Sequence, residues 1–300
     1  MTAIRNLEKK LSDSNERTNR LSVDPEWFQC PVCDNSVQRK PDGLHCTKCC
    51  SLFPEIDSIP LFASGELEEN VNREKDFWEH DRLTDEKGTF HTFSGNAYHQ
   101  MIDQINIPAR GVGLDFACGS GAFGSYLDQH TVVGLDISLS LLRASKGIIP
   151  VQGSGMKLPF QSNLFDFAIC AAALHHMPDP ELALSEVIRT IKPEGVVGIL
   201  ELNLSHPQRK LIADSRSPFR KLFPTSGFSP SERLIKEEDL VYWLKKYGCQ
   251  VKETHYVSPE YRKVSPFGRI QSLTARTMGR GKLGRYFHSY LIIRAIKLKQ

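Results

Sequence analysis

Along this chain, short continuous apolar runs alternate with stretches in which apolar positions recur every three or four residues, and from residue 112 the alternation is regular. The runs predict strands near 112–117, 131–136, 148–152, 165–172 and 196–202, and the helical spacing predicts helices near 121–128, 138–146 and 180–191. Pro178-Asp179-Pro180 supplies a start signal for the last of these, and Lys192-Pro193-Glu194-Gly195 follows its end. A further helix is expected over 232–247, carrying Leu234, Leu240, Trp243 and Leu244 and stopping at Gly248, followed by strands at 249–257 and near 288–298. Seven strands interleaved with helices predict an α/β domain whose mostly parallel sheet is covered on both faces.

The segment GVGLDFACGSGAFGSYL, residues 111–127, carries the most chemistry. An apolar strand runs into Asp115, then into a turn of small residues that lets backbone approach a ligand closely. About twenty residues on, TVVGLDIS ends a second strand in Asp136, an acid placed to hold both hydroxyls of a ribose. The turn reads A-x-G-x-G where a dinucleotide site wants G-x-G-x-x-G, and the acid precedes it. A carboxylate there repels a pyrophosphate but attracts the ammonium of a methionine moiety, which favours S-adenosylmethionine over NAD.

Four segments in order, GLDFACGSG, VVGLDIS, LPFQSNLFDFAICAAALHHMPDP and EVIRTIKPEGVVGIL, resemble the core of a class I S-adenosylmethionine-dependent methyltransferase of the ubiquinone-type and small-molecule group, covering residues 111–203. The resemblance implies a Rossmann-like seven-stranded sheet whose last two strands form an antiparallel pair. It implies that Asp115, Ala117, Gly119 and Gly121 wrap the methionine end, that Asp136 takes the ribose, and that Ser154, Gly155 and Met156 flank the adenine. Two positions depart from the pattern. Ala117 replaces a glycine, a change tolerated at negative φ. Ser154 stands where an acid is usual, so a serine hydroxyl or a backbone carbonyl must accept from the adenine amino group.

Five of the eight cysteines lie between residues 30 and 50, and four of them form Cys30-x-x-Cys33 and Cys46-x-x-Cys49 with twelve residues between. Two C-x-x-C turns supply four converging thiolates, a structural zinc set without an open position for chemistry. His45 and Cys50 are alternatives to Cys49 that the spacing disfavours. Pro41-Asp42-Gly43 predicts a hairpin turn between the knuckles. Residues 28–62 resemble the small zinc ribbons that partner or are fused to methyltransferases.

These readings divide the chain into a polar lead (1–24), a ribbon (25–63), a linker with cap helices (64–110) and the α/β domain (111–300). Tyr98 and His99 in the linker are candidates for the substrate mouth, with Phe77, Trp78 and Tyr98 equally readable as packing residues. Chemistry in such a sheet belongs at the carboxyl ends of the strands. There the chain places His175 and His176, then Glu201 and Asn203, with His206 beyond. His176 is the candidate base, an unperturbed imidazole titrating near pH ~6.5, or a group that orients the cofactor; His175 is its neighbour.

Composition adds bounds. With 40% hydrophobic residues and a net charge of +3, the chain has material for one full domain and an appendage. The opening residues lack a signal-peptide core and no apolar run approaches a bilayer span, so a soluble, cytoplasmic protein is expected. An Asn/Asp-Pro-Pro-Tyr or Pro-Cys motif after the fourth strand, the mark of DNA-base methylation, is missing, which favours a small-molecule acceptor, lipid-linked or phosphorylated. The basic stretches RTMGRGKLGR, HPQRK and FRK keep open an RNA acceptor or peripheral contact with an anionic membrane. A cofactor-binding scaffold without turnover is a third reading, prompted by Ala117 and Ser154.

Overall fold

The computed structural model describes residues 24–63, 69–80, 98–207, 210, 235–258 and 283–299. Most of the polar lead, much of the linker and the basic residues 219–221 and 276–282 therefore lie outside the described residues.

The four cysteines sit around a three-stranded antiparallel sheet of β1 (Val37–Lys40), β2 (Gly43–Cys46) and β3 (Leu52–Phe53). The turn between β1 and β2 is the Pro-Asp-Gly hairpin, with Lys40 opposite Gly43. A small hairpin of β4 (Glu55–Ile56) and β5 (Ile59–Pro60) follows, and then α1 (Glu69–His80) and a helix over 98–105, α2.

The main sheet contains β6 (Val112–Phe116), β7 (Thr131–Asp136), β8 (Ile149–Gln152), β9 (Phe165–Ala171), β10 (Ile191–Leu202), β11 (Cys249–Val257) and β12 (Tyr290–Lys297). Its order is β11-β12-β10-β9-β6-β7-β8. Strands β6 to β10 are parallel to one another, and β12 runs against β10 and β11. Strand β6 is central because the chain steps outward through β7 and β8, then returns to place β9 on the other side. That reversal makes a crevice at the carboxyl ends of β6 and β9.

Both faces are covered, so the inner strands are apolar on both sides. On one face lie α4 (Pro180–Thr190) and α5 (Glu237–Lys246), burying Ala183, Leu184, Val187, Leu240 and Leu244. On the other, Met101 and Ile105 of α2 pack with Phe167 and Ile169. Gly113 permits this packing, since a Cβ there would stand 2.1 Å from the Phe167 ring. Asp179 caps α4 by accepting from the Leu182 amide at 3.0 Å, with Pro180 in the first turn.

Three elements differ from expectation. The helix expected near 121–128 is a 3₁₀ turn over Ala122–Ser125, because Gly124 lies so close to Lys146 and Gly147 that the segment hugs the neighbouring loop. Strand β10 begins at Ile191 rather than 196, its pairing with β9 interrupted by a bulge through Lys192–Gly195. The helix expected over 232–247 starts at Glu237, residues 232–234 lying outside the described residues. The helix after β7, α3, spans Leu139–Ala144.

The cysteine module is docked on the sheet. Phe28 forms an antiparallel bridge with Phe160, and Leu61 a parallel bridge with Gln152 of β8. Phe28 stacks between Phe62 and Phe160, with ring centroids at 4.8 and 5.7 Å, and is fully buried.

Candidate functional site

A cavity of about 260 Å³ opens at the carboxyl ends of β6, β7 and β9. Ala117, Gly119 and Ser120 form one wall, Asp136 and Ile137 a second, Ser154, Gly155 and Met156 a third. Ala172, His176 and Met177 form the fourth, and Trp78 of α1 and Tyr98 of α2 also line the cavity.

The turn after β6 is built from left-handed backbone. Ala117, Gly119 and Gly121 have φ of 54°, 53° and 76°. Ala117 therefore does not meet the condition of negative φ under which the replacement is easily tolerated, and carries its methyl group in a conformation that usually selects glycine. At Gly119 a Cβ would meet nothing within 4 Å, so this lining residue faces open space. Gly121 lies behind the wall, against Ser145 and Ile148.

Asp136 fixes this turn. Its carboxylate accepts from the Gly119 amide at 2.8 Å and from the Ser138 amide at 2.9 Å, and burial raises its pKa above the ordinary value even against these donors. Asp115 lies behind the wall and is buried, and its Oδ2 has no hydrogen-bond partner. Burial, with the Asp136 charge added, holds its carboxyl well above the ordinary range. A buried acceptor left open beside a backbone cradle fits a ligand that brings a cationic donor. Ser154, at the adenine position implied by the resemblance, accepts from the Met156 amide at 3.2 Å.

At the exit of β9, Ala172 is also left-handed, with φ 51°, and the chain enters a 3₁₀ turn over Leu174–His176. Glu201 holds that turn from behind. Its Oε1 accepts from the Leu174 amide at 2.8 Å and its Oε2 contacts His175 Nδ1 at 2.6 Å. The His175 and His176 rings lie 4.0 Å apart, and Trp78 stands edge-on to His176 at 5.1 Å. Of the five candidates at this edge, His176 alone lines the cavity; His175 and Glu201 stand behind it. Asn203 is buried and donates to the Arg285 and His288 carbonyls, while His206 lies off the cavity. His99 packs on Tyr126, away from the mouth.

Sequence reasoning missed two contributors. Glu79 accepts from the Leu139 and Ser140 amides at 2.6 and 3.2 Å, tying α1 to the start of α3. Met177 and Pro178 complete the wall below His176. The Met-Pro pair directly after the two histidines was the available signal for the second; nothing in the sequence marks the first.

In the module, the Sγ atoms of Cys30, Cys33, Cys46 and Cys49 all lie within 4.8 Å of one another. Cys30 and Cys49 are 3.6 Å apart and Cys33 and Cys46 3.4 Å, too long for disulfides and near the roughly 3.8 Å edge of a tetrahedron with ~2.3 Å zinc–sulfur bonds. The donor set fits zinc. Hydrogen bonds from Ser51 bring the Cys49 thiol down to about 6, while burial pushes Cys30 up to about 12. His45 is turned to Asp42 at 2.7 Å, and Cys50 is exposed outside the cluster.

Among the described residues, no helix is long and apolar enough to cross a membrane.

Residues 114–199 match the methyltransferase domain family. A demethylmenaquinone methyltransferase of Lactobacillus johnsonii is 31% identical over 140 residues, covering 42% of this chain and 57% of that protein. One from Staphylococcus saprophyticus is 31% identical over 160 residues, covering 49% and 66%. The chain thus spans about three-fifths of the length of these relatives. In structure, an S-adenosylmethionine-dependent methyltransferase of Thermotoga maritima aligns with a TM-score of 0.54 at 18% identity, over 74% of this chain and 98% of that one, a likeness of fold.

Proposed function

Since the chain carries a class I S-adenosylmethionine-dependent methyltransferase domain, we propose that it methylates a small, apolar, planar acceptor of the quinone type, borne on a lipid tail. The observation that carries this reading is the cavity. It joins a backbone cradle and the Asp136 carboxylate on one side to Trp78, Tyr98, Met177 and His176 on the other. The names of the two curated relatives support the acceptor class.

When bound, S-adenosylmethionine supplies a methyl group on a positively charged sulfur. The Ala117–Gly121 turn would hold the methionine end, with Asp115 behind it. The unpaired Asp115 oxygen suits the ammonium group, and Gly119 leaves room for backbone approach. Asp136 takes the ribose hydroxyls, since each of its oxygens already accepts one amide and keeps lone-pair capacity for another donor. Ser154, Gly155 and Met156 flank the base. Transfer from such a sulfonium asks mainly for alignment and exclusion of water, to which Trp78, Tyr98 and Met177 contribute as apolar lining of the cavity. His176, seated by His175 and Glu201, accepts the proton that the acceptor sheds as its bond to carbon forms. The four-cysteine module holds one structural zinc.

Titration calorimetry of the full chain with S-adenosylmethionine and S-adenosylhomocysteine, with zinc determined on the same sample, tests the binding half. Incorporation of labelled methyl groups into fractionated extracts tests the acceptor. Label in the lipid fraction is the expected result. Label in RNA replaces the acceptor class, and no binding of either ligand removes the assignment.

A further inference from the structure

The cysteine module and the cofactor cavity share a segment. Residues 152–161 leave β8 as the cavity wall and finish against the module. At one end, the Gln152 carbonyl accepts from the Phe62 amide at 2.9 Å and Gln152 pairs with Leu61. The same Gln152 donates its side-chain amide to the Ile137 carbonyl at 3.1 Å, and the next amide, Gly153, donates to the Asp136 carbonyl at 3.0 Å. At the other end, the Gln29 amide donates to Pro159 O at 3.0 Å and the Gln161 amide to Trp27 O at 2.9 Å. The Gln161 side chain adds a bond to Phe28 O at 2.9 Å, and Lys157 pairs with Asp34 at 2.7 Å. Between these two anchors hang Ser154, Gly155 and Met156 of the cavity wall.

The strap that grips this segment is the same backbone that carries the first ligand pair. Gln29 precedes Cys30, and Asp34 follows Cys33. Cys30 itself is fully buried beside Phe28, whose ring is wedged between Phe62 and Phe160. Module residues 27–34 and 61–62 therefore hold a wall of the cavity from its outer side, while Arg189 holds it from the sheet side through the Leu158 and Phe160 carbonyls.

The geometry points to a coupling: Phe28, Gln29 and Leu61 are positioning residues for the cofactor site, and metal in the four-cysteine cluster and ligand in the cavity each strengthen the binding of the other. This rests on the metal and cofactor assignments made above. Metal fixes the Cys30–Cys33 turn, the turn fixes the strap, and the strap fixes Gln152–Gln161. Ligand binding orders the same segment from inside. Linkage requires the two effects to be equal in size.

The experiment uses the intact chain. S-adenosylhomocysteine affinity is measured by calorimetry with zinc bound and after withdrawal by a chelator. Zinc affinity is measured by competition with a chromophoric chelator, with and without saturating S-adenosylhomocysteine. The expected result is a loss of about tenfold or more in ligand affinity on zinc withdrawal, matched by the same gain in zinc affinity. Hydrogen exchange separates this from general unfolding. Withdrawal should expose amides of 152–161 while those of β9 and β10 stay protected; exposure spread over the whole sheet overturns the local assignment. Gln161→Ala supplies a second arm. It should keep its zinc and lose ligand affinity, with a smaller linkage factor. If zinc and ligand both bind and the factor is one, this proposal alone falls. If either fails to bind, the reading beneath it falls as well.

Discussion

The Asp136 carboxylate accepts the Gly119 amide at 2.8 Å, so the acid that ends β7 also holds the turn that follows β6. Asp136→Ala removes the acceptor of two amides, Gly119 and Ser138, each costing about 1–3 kcal/mol when buried without a partner. S-adenosylhomocysteine affinity should fall at least about tenfold, equivalent to about 1.4 kcal/mol. Unchanged affinity in calorimetry would remove Asp136 from the site.

The left-handed backbone of Ala117 gives a prediction whose sign is diagnostic. At φ 54° an alanine is strained by about 1–2 kcal/mol, and glycine relieves that while loosening the unfolded chain by roughly 0.4–1 kcal/mol. Ala117→Gly should therefore raise stability, by up to about 1.6 kcal/mol, in urea unfolding. At negative φ the same change would lower it.

Asp115 sets a pH dependence. Its pKa is raised in the folded chain by burial and by Asp136, so the folded state binds its proton more tightly than the unfolded state does. Its contribution is fully present below the ordinary value of 3.8 and is lost as pH rises from there toward the raised value. Asp115→Asn should thus be more heat-stable than the unaltered chain, by a margin that widens between pH 5 and pH 8, while binding S-adenosylmethionine less tightly. Melting curves at the two pH values, paired with calorimetry, check both parts.

Metal content separates the ligands from their neighbours. About one zinc per chain is expected by elemental analysis. Cys49→Ser should lose most of it and lower the melting temperature, whereas Cys50→Ser and His45→Ala should keep it. Full zinc retention in Cys49→Ser would hand the fourth position to another donor.

Glu79→Ala should unseat α1 from α3. The loss of this cap costs about 1 kcal/mol, and Trp78 should report it as a change in tryptophan emission and in its quenching by bound ligand. Emission and quenching identical to the unaltered chain would mean that α1 stays in place without the bond.

Strands were the most legible part of the sequence. TVVGLD and CQVKETHYV became β7 and β11 at the expected residues, the first a run of apolar residues and the second a run that begins directly after Gly248. The 3₁₀ turn at Ala122–Ser125 was not legible, since its apolar spacing is that of a helix and the close approach of Gly124 to the 146–147 loop is a tertiary fact. Lys297 belongs to the same class. It sits buried in β12 and caps the end of α4 by donating to the Ile188 and Ile191 carbonyls at 3.0 and 2.7 Å, a role no spacing announces. In the site, the glycine turn and Asp136 declared themselves through residue type. Glu201 did not reveal that it stands behind His175, because strand direction alone leaves open which residues at a carboxyl edge reach the cavity.

The bridge from Leu61 to Gln152 has one more result. Strand β8 is the last of its sheet, and a bare outermost strand invites pairing with a second molecule. Here the tail of the cysteine module lies along it, and the Phe62 amide occupies a carbonyl that would otherwise face outward. A chain shortened to begin after residue 63 would uncover that border, so it should self-associate in solution in addition to losing the outer support of the cavity wall.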